Sequence, residues 1–226
     1  MTPPSNLAIV GYGKMGRLID QLALEYGFTV TARLDVHRDE PLNNIQVAIE
    51  FSTPNAVLHN VTRLAELGIP VVIGTTGWLE HLAEVEALAV RHNIGIVWSP
   101  NYSIGVNIFQ RLVSEAAALL KDEPAYGAWA WEIHHATKKD APSGTLLKLV
   151  EQMKKSGYER PIDVSSNRAG AHPGTHEIGF DSAADTITLR HAARSREGFA
   201  RGALKAAQWI AGRTGFHEFS EVLFGG

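Results

Sequence analysis

Cysteine is absent from all 226 residues. That excludes disulfides, iron–sulfur clusters and thiolate-held zinc, and it suits a reducing compartment. No apolar run approaches the ~20 residues that a membrane-spanning helix requires. The first residues, Met1-Thr2-Pro3-Pro4-Ser5-Asn6, carry no basic segment followed by an apolar one, so the expected setting is cytoplasmic. Positive charge is not in excess either: 21 Lys and Arg against 24 Asp and Glu leave a formal −3. No general attraction for nucleic acid or for an anionic membrane surface is expected from that balance. Cationic groups gathered around a site must then be a local arrangement. Internal repeats and low-complexity linkers are missing as well. What remains is ordinary globular composition, 45% hydrophobic and 20% charged, in a chain long enough for one large domain or two small ones.

The first hundred residues alternate strand and helix signals. Leu7–Val10 is a short apolar run that stops at glycine, and Met15, Leu18, Ile19, Leu22, Ala23 and Tyr26 then recur at helical spacing. Strands are expected at Phe28–Leu34, Val47–Phe51, Val71–Ile73 and Ile94–Trp98. Thr53-Pro54 reads as a helix start, with a side-chain oxygen at the cap and proline in the first helical position. Apolar strands alternating with amphipathic helices imply a parallel sheet covered on both faces.

After Ser99-Pro100-Asn101 the pattern changes to one helix followed by strands at Ala128–Ala136, Ile162–Ser166, His176–Phe180 and Thr186–His191, with a last helix near Glu197–Ala211. The fold class predicted is α/β: a Rossmann-type parallel-sheet domain over 1–101, plus a smaller α+β domain with an open mixed sheet over 102–204. The apolar segment at about 205–226 is expected to pack back on the first domain.

Gly11-Tyr12-Gly13-Lys14-Met15-Gly16 matches G-x-G-x-x-G between a predicted strand and a predicted helix. Glycines there permit a tight turn and close approach of backbone to a pyrophosphate, which then rests on unpaired helix N–H groups. Asp35 falls at the end of the next strand, where the fingerprint asks for an acceptor of ribose hydroxyls. It favours NAD, while Lys14 and Arg38 leave NADP open. Two further turns follow strands. Gly74-Thr75-Thr76-Gly77 suits a nicotinamide carboxamide, and Ser99-Pro100-Asn101-Tyr102 closes the other side as a hinge between domains.

The segment Glu132–Thr145 gathers His134, His135, Lys138 and Lys139 ahead of a helix start at Ser143. Neighbouring residues on a strand face opposite ways, so His134 and His135 share a cavity only beyond the strand's end. Ser143 caps a helix through Leu146, Leu147 and Val150, which turns the N–H groups of Gly144 and Thr145 outward as a carboxylate site. No metal is expected, because H-E-x-x-H and repeated carboxylate ligand spacings are both missing. A small dianionic substrate beside a proton donor fits the ensemble.

Taken in order, the glycine loop, Phe51-Ser52-Thr53-Pro54, Gly74-Thr75-Thr76-Gly77, Ser99–Ser103 with Gly105-Val106-Asn107, and above all His134-His135 through Thr145 resemble the dihydrodipicolinate reductase family. So do Gly174-Thr175-His176-Glu177 and His191–Arg196 with Phe199-Ala200. The resemblance implies reduction of 4-hydroxy-tetrahydrodipicolinate by NADH or NADPH with loss of water, on the route to lysine and diaminopimelate. It implies His134 as proton donor and acceptor, Lys138 as second proton donor, and His135, Gly144 and Thr145 as holders of substrate carboxylates. A homotetramer built through the second domain's sheet is likewise implied. The chain departs from many relatives in a trimmed connection at His37–Asn44, a glycine loop one residue tighter, and Ala136 and Thr137 between the second histidine and the lysine. Two other readings stay open: a different two-domain nicotinamide dehydrogenase, and a non-catalytic dinucleotide sensor.

Overall fold

The strands of the first half run side by side because they bury side chains on both faces. The computed structural model describes residues 5–225. Met1–Pro4 and Gly226, at the outer ends of the expected spans 1–101 and 205–226, lie outside the described residues. Two compact units are formed, one by Met1–Ile104 with Arg196–Gly226 and the other by Gly105–Ser195.

In the first unit the strands are β1 (Ser5–Val10), β2 (Phe28–Asp35), β3 (Arg38–Asp39), β4 (Val47–Glu50), β5 (Val71–Ile73), β6 (Gly95–Trp98) and, from the far end of the chain, β11 (Gly215–Glu218). They form a seven-stranded sheet in the order β11-β6-β5-β4-β1-β2-β3. All neighbours are parallel except the short β3, which pairs antiparallel with the end of β2. One face carries Leu7, Ile9, Val47, Ile49, Val72 and Val97, packed with helices α1 (Lys14–Leu22) and α6 (Glu197–Ile210). The opposite face carries Ala8, Val10, Ala48, Val71, Ile73 and Ile96, packed with α2 (Val57–Glu66) and α3 (Leu82–His92). Continuous apolar strands read as buried on both sides are what a helix-covered parallel sheet demands.

Three details differ from the sequence expectation. Thr53 precedes a 3-10 turn, Pro54–Ala56, with no side-chain cap bond; the Ala56 N–H closes on the Thr53 carbonyl at 3.0 Å instead. The return to the first unit begins at Arg196, ahead of the position near 205. Ala200, Ala203 and Leu204 of α6 belong to the core of the first sheet, so the whole helix goes with it. The apolar tail does more than pack back: β11 adds a strand beside β6 before α7 (Phe219–Phe224).

The second unit has a four-stranded mixed sheet of β7 (Gly127–His134), β8 (Ile162–Arg168), β9 (Thr175–Asp181) and β10 (Thr186–Ala192), ordered β10-β9-β7-β8. β7 and β8 are parallel, and the other two pairs are antiparallel. Ala128, Ala130, Ile178 and Phe180 face a core shared with Phe109, Val113 and Ala117 of α4 (Ile104–Leu120) and Leu146, Leu149 and Met153 of α5 (Gly144–Lys155). Along β7 the alternation is strict: Ala128, Ala130, Glu132 and His134 are buried, while Trp129, Trp131 and Ile133 are half-exposed. Among the described residues, no helix is long and apolar enough to cross a membrane.

Candidate active site

In the first unit the strand order reverses at β1, which has β2 on one side and β4 on the other. Such a reversal leaves a crevice beyond the carboxyl ends of the strands, the usual ligand position in open α/β sheets. A cavity of about 590 Å³ opens there, lined by Gly11, Gly13, Asp35, Arg38, Phe51, Ser52, Thr53, Asn60 and Arg63 among others. That size is ordinary for a small-molecule site.

Gly11 makes the turn possible. Its φ is +91°, and a Cβ on it would stand 2.2 Å from the Phe51 carbonyl oxygen. Gly13 is the residue before α1 and lines the cavity. Tyr12, Lys14, Met15 and Gly16 do not line it. Tyr12 donates to Asp20 and has the Arg33 and Arg38 guanidinium groups over its ring at 5.8 and 5.4 Å. Met15 packs on the core, and Gly16 is buried. Asp35 lies at the end of β2 and accepts from the Val36 N–H at 2.8 Å, with Arg38 beside it on β3. A glycine turn, a helix N-terminus and a carboxylate around one crevice fit a dinucleotide.

The other predicted cofactor groups gather separately. Thr75, Thr76, Ser99 and Pro100 line a small cleft of about 30 Å³ with Trp78 and Trp98. The Ser99 hydroxyl donates to the Asn101 carbonyl at 2.9 Å, and Tyr102, buried, donates to the Val97 carbonyl at 3.0 Å. Gly74 has no room for a side chain because the Phe51 ring lies against its Cα. Tyr102 is therefore part of the core.

Sequence reasoning missed Glu50, a fully buried carboxyl at the end of β4. Burial pushes it up from the usual value near 4.5, and hydrogen bonds from Ser52 offset this only in part. A group with a raised folded pKa binds more protons folded than unfolded, so its stabilising contribution is present at low pH and fades as pH rises. Glu50→Gln is neutral at every pH. It should raise the melting temperature over the wild type by a few degrees near pH ~8 and by almost nothing near pH ~4. Thermal melts at the two pH values check this, and equal differences would remove the titration from the argument.

In the second unit the boundary of β7 falls between the two histidines. His134 ends the strand and is buried; His135 lies beyond it, half-exposed, with Nδ1 2.7 Å from the Thr137 hydroxyl. The expected strand to Ala136 stops early because the chain turns to pair with the loop after β8, where the Ala136 N–H donates to the Gly170 carbonyl at 3.0 Å. Ser143 caps α5 as expected, accepting from the Leu146 N–H at 3.2 Å. Lys138 Nζ lies 2.7 and 2.9 Å from the two carboxylate oxygens of Asp140. That ammonium first, and the Gly144 N–H among lesser causes, hold the Asp140 carboxyl below its usual range. An internal carboxylate thus already meets Lys138 and the first turn of α5.

Beneath these groups lies a cluster that linear spacing does not reveal. Glu132, fully buried, accepts from the Ser143 N–H at 2.8 Å, the Ser143 hydroxyl, the Ser166 hydroxyl at 3.1 Å and the Arg168 guanidinium at 2.8 Å. His176, its direct partner across β7 and β9, has Nε2 at 3.3 Å, and His134 Nδ1 is at 3.5 Å. Burial would raise the Glu132 pKa, but the hydrogen bonds from Ser143 and Arg168 outweigh it and hold the carboxyl low. Burial lowers the His134 pKa, and the attraction of Glu132 offsets that in part. His176 is pushed down to about 4, chiefly by burial and then by His134. Glu132, His134 and His176 each offer one donor atom within 4.8 Å of the others, a spacing a metal would accept. The set does not fit one: the carboxylate is already filled by hydrogen-bond donors, and the Arg168 cation stands against it.

Models of the dihydrodipicolinate reductase N-terminus and C-terminus match residues 5–102 and 105–223. The chain belongs to the dihydrodipicolinate reductase family. It is an oxidoreductase that works with NAD(P)H. A 4-hydroxy-tetrahydrodipicolinate reductase of Christiangramia forsetii is 35% identical over 232 residues, covering 96% of this chain and 97% of that protein. One from Thermosipho africanus is 35% identical over 222 residues, covering 95% and 96%. Among solved structures, a dipicolinate-bound dihydrodipicolinate reductase from Paenisporosarcina sp. TG-14 aligns over 97% of this chain and 100% of that one, with a TM-score of 0.81 at 22% identity. That likeness agrees with the two-unit Rossmann-type fold described above.

Proposed function

We propose that this member of the family reduces 4-hydroxy-tetrahydrodipicolinate to tetrahydrodipicolinate in lysine and diaminopimelate biosynthesis, in the cytoplasm. The nicotinamide cofactor, when bound, supplies a hydride to the substrate ring. One proton is taken up and the 4-hydroxyl leaves as water. His134 donates and accepts the proton, and Lys138 is the second proton donor. His135, Gly144 and Thr145 hold the two substrate carboxylates. Ser143, expected among them, is buried and gives both its N–H and its hydroxyl to Glu132, so it serves as the cap beneath them. The observation that carries this reading is Asp140, whose carboxylate sits on Lys138 and is held low in part by the Gly144 N–H, the groups a substrate carboxylate needs. A dianion arriving beside His134 adds negative charge there and raises its pKa again, which favours a protonated donor.

Following NADH or NADPH absorbance with freshly generated substrate tests the proposal. Substrate-dependent oxidation supports it. Binding of the dinucleotide without turnover would favour a sensor, and turnover only with other carbonyl compounds would favour a different dehydrogenase.

Cofactor choice rests on Asp35. Arg63 is paired with Asp39 at 2.8 Å, and Arg38 lies 3.6 Å from Glu40, so both cations near the cavity already have carboxylate partners. NADH is the better partner on this reading. Asp35→Ala should raise the KM for NADH roughly tenfold or more, the worth of a charge-assisted hydrogen bond, and leave that for NADPH much less changed. Titrating both cofactors checks it.

Self-association through the second sheet is the accompanying proposal, giving a homotetramer. Trp129, Trp131 and Ile133 stand half-exposed on the face of β7 opposite its core. Contiguous apolar surface of this kind marks association sites. Trp131→Glu should reduce the sedimenting mass to dimer or monomer at micromolar concentration, and an unchanged mass would move the interface elsewhere.

A further inference from the structure

Glu132 cannot touch a substrate, since it is fully buried. Yet its neighbours are the groups that the proposed reaction uses. It lies two residues before His134 on the same face of β7, and it binds both the N–H and the hydroxyl of Ser143, the cap of α5. The nitrogen of His134 that faces it, Nδ1, is buried and has no hydrogen-bond partner among the described residues, at 3.5 Å from Glu132 Oε2. The other nitrogen, Nε2, lies against Gly174, whose φ is +132° and where a Cβ would stand 3.0 Å from it. The chain therefore leaves the Nε2 edge free of any side chain from that position.

We propose that Glu132 is the positioning residue of the site. It selects the tautomer of His134 protonated on Nδ1, and through Ser143 it anchors the helix terminus proposed to bind a carboxylate. The inference rests on the reading of His134 as the proton donor. The imidazolium gives its Nε2 proton to the substrate, and the neutral ring left behind keeps its N–H on Nδ1, facing the carboxylate. A buried ionised group opposite a ring nitrogen fixes the tautomer of a histidine and stabilises the imidazolium. The 3.5 Å separation is long for a hydrogen bond, as catalytic contacts often are before substrate arrives.

The surrounding charges give the proposal a sign. His134 faces Glu132 on its own strand, Lys138 and Asp140 on the following loop, Arg168 on β8 and His176 on β9. Lys138 is paired with Asp140, and Arg168 with Glu132. Neutralising Glu132 leaves the Arg168 cation uncompensated beside the ring, so protonated His134 becomes harder to form. A donor must start protonated, and its activity falls as pH rises through its pKa. Glu132→Gln should therefore move that falling limb of the kcat/KM profile down by roughly one pH unit or more. At pH ~7.5 kcat/KM should drop on the order of 10²-fold, part of what a positioned acid supplies. Dinucleotide affinity should stay unchanged, and Glu132→Asp should recover some of the rate.

The experiment combines those profiles with ¹⁵N-histidine NMR of the whole protein, the His134 signals being assigned by their loss in His134→Gln. A neutral wild-type His134 carrying its proton on Nδ1, with the limb displaced in Glu132→Gln, supports the proposal. A wild-type ring protonated on Nε2 overturns it, and needs no variant of Glu132 to fold. So does a folded Glu132→Gln with an undisplaced limb. Either of these results, with His134→Gln inactive, sinks the positioning role alone. Undiminished turnover by His134→Gln sinks the reading of His134 itself.

Discussion

His134→Gln is expected to lower kcat by roughly 10²–10⁴-fold, the worth of a positioned proton donor, while dinucleotide affinity stays near wild type. Glutamine keeps a polar group at the end of β7 but carries no transferable proton at neutral pH. The groups proposed to hold the cofactor, Gly11, Gly13 and Asp35, belong to the first unit and His134 to the second, so dinucleotide affinity serves as the internal control. Steady-state turnover and fluorescence titration of NADH separate the two effects. Equal loss of both would indicate misfolding, and unchanged turnover would take His134 out of the chemistry.

Gly11→Ala should be the most damaging change in the cofactor crevice. The residue has φ +91°, and its new Cβ would meet the Phe51 carbonyl oxygen at 2.2 Å and the Ser52 nitrogen at 2.7 Å. Left-handed backbone costs an L-residue roughly 1–2 kcal/mol, and overpacking against rigid backbone adds about 1–3 kcal/mol. For a chain of this size that is a fall in melting temperature of roughly 5–15 °C. Relief by shifting Phe51 would deform the cavity, so dinucleotide affinity should fall at least ~10-fold as well. Gly13→Ala is the internal comparison. Among the described residues a Cβ there meets nothing within 4 Å, so the melting temperature should hold while the methyl group intrudes on the crevice and weakens the cofactor alone. Melting curves and cofactor titrations on both variants check this, and equal melting temperatures would refute the steric account of Gly11.

The strands and helices of the first unit were legible because their signals are local. An apolar run ending at Gly11, a helical stripe through Ile19 and Leu22, and a carboxylate at the end of the next strand lie within one βαβ stretch. The same holds for His134 to Thr145, where the strand's end, the loop and the helix cap are consecutive. Ser143 caps α5 in the structure for the reason its hydroxyl suggested in the sequence. Thr53, read by the same rule, does not, because a 3-10 turn closes on its carbonyl first.

By itself, then, the order of residues determined the α/β class, the glycine crevice and the histidine–lysine segment, since each is set by periodicity and turn chemistry over a few residues. Only the tertiary structure decided the company that Glu132 keeps, the burial of Glu50, the place of α6 and the strand at Gly215–Glu218. Those depend on which strands become neighbours and in what register, and a shift of one residue would turn every side chain to the other face. Glu132 meets His176 because β7 and β9 pair at that position, and it meets Arg168 because that residue ends the neighbouring β8, opposite His134. Pairing across 36 or more residues is a property of the packed sheet, and no local pattern carries it.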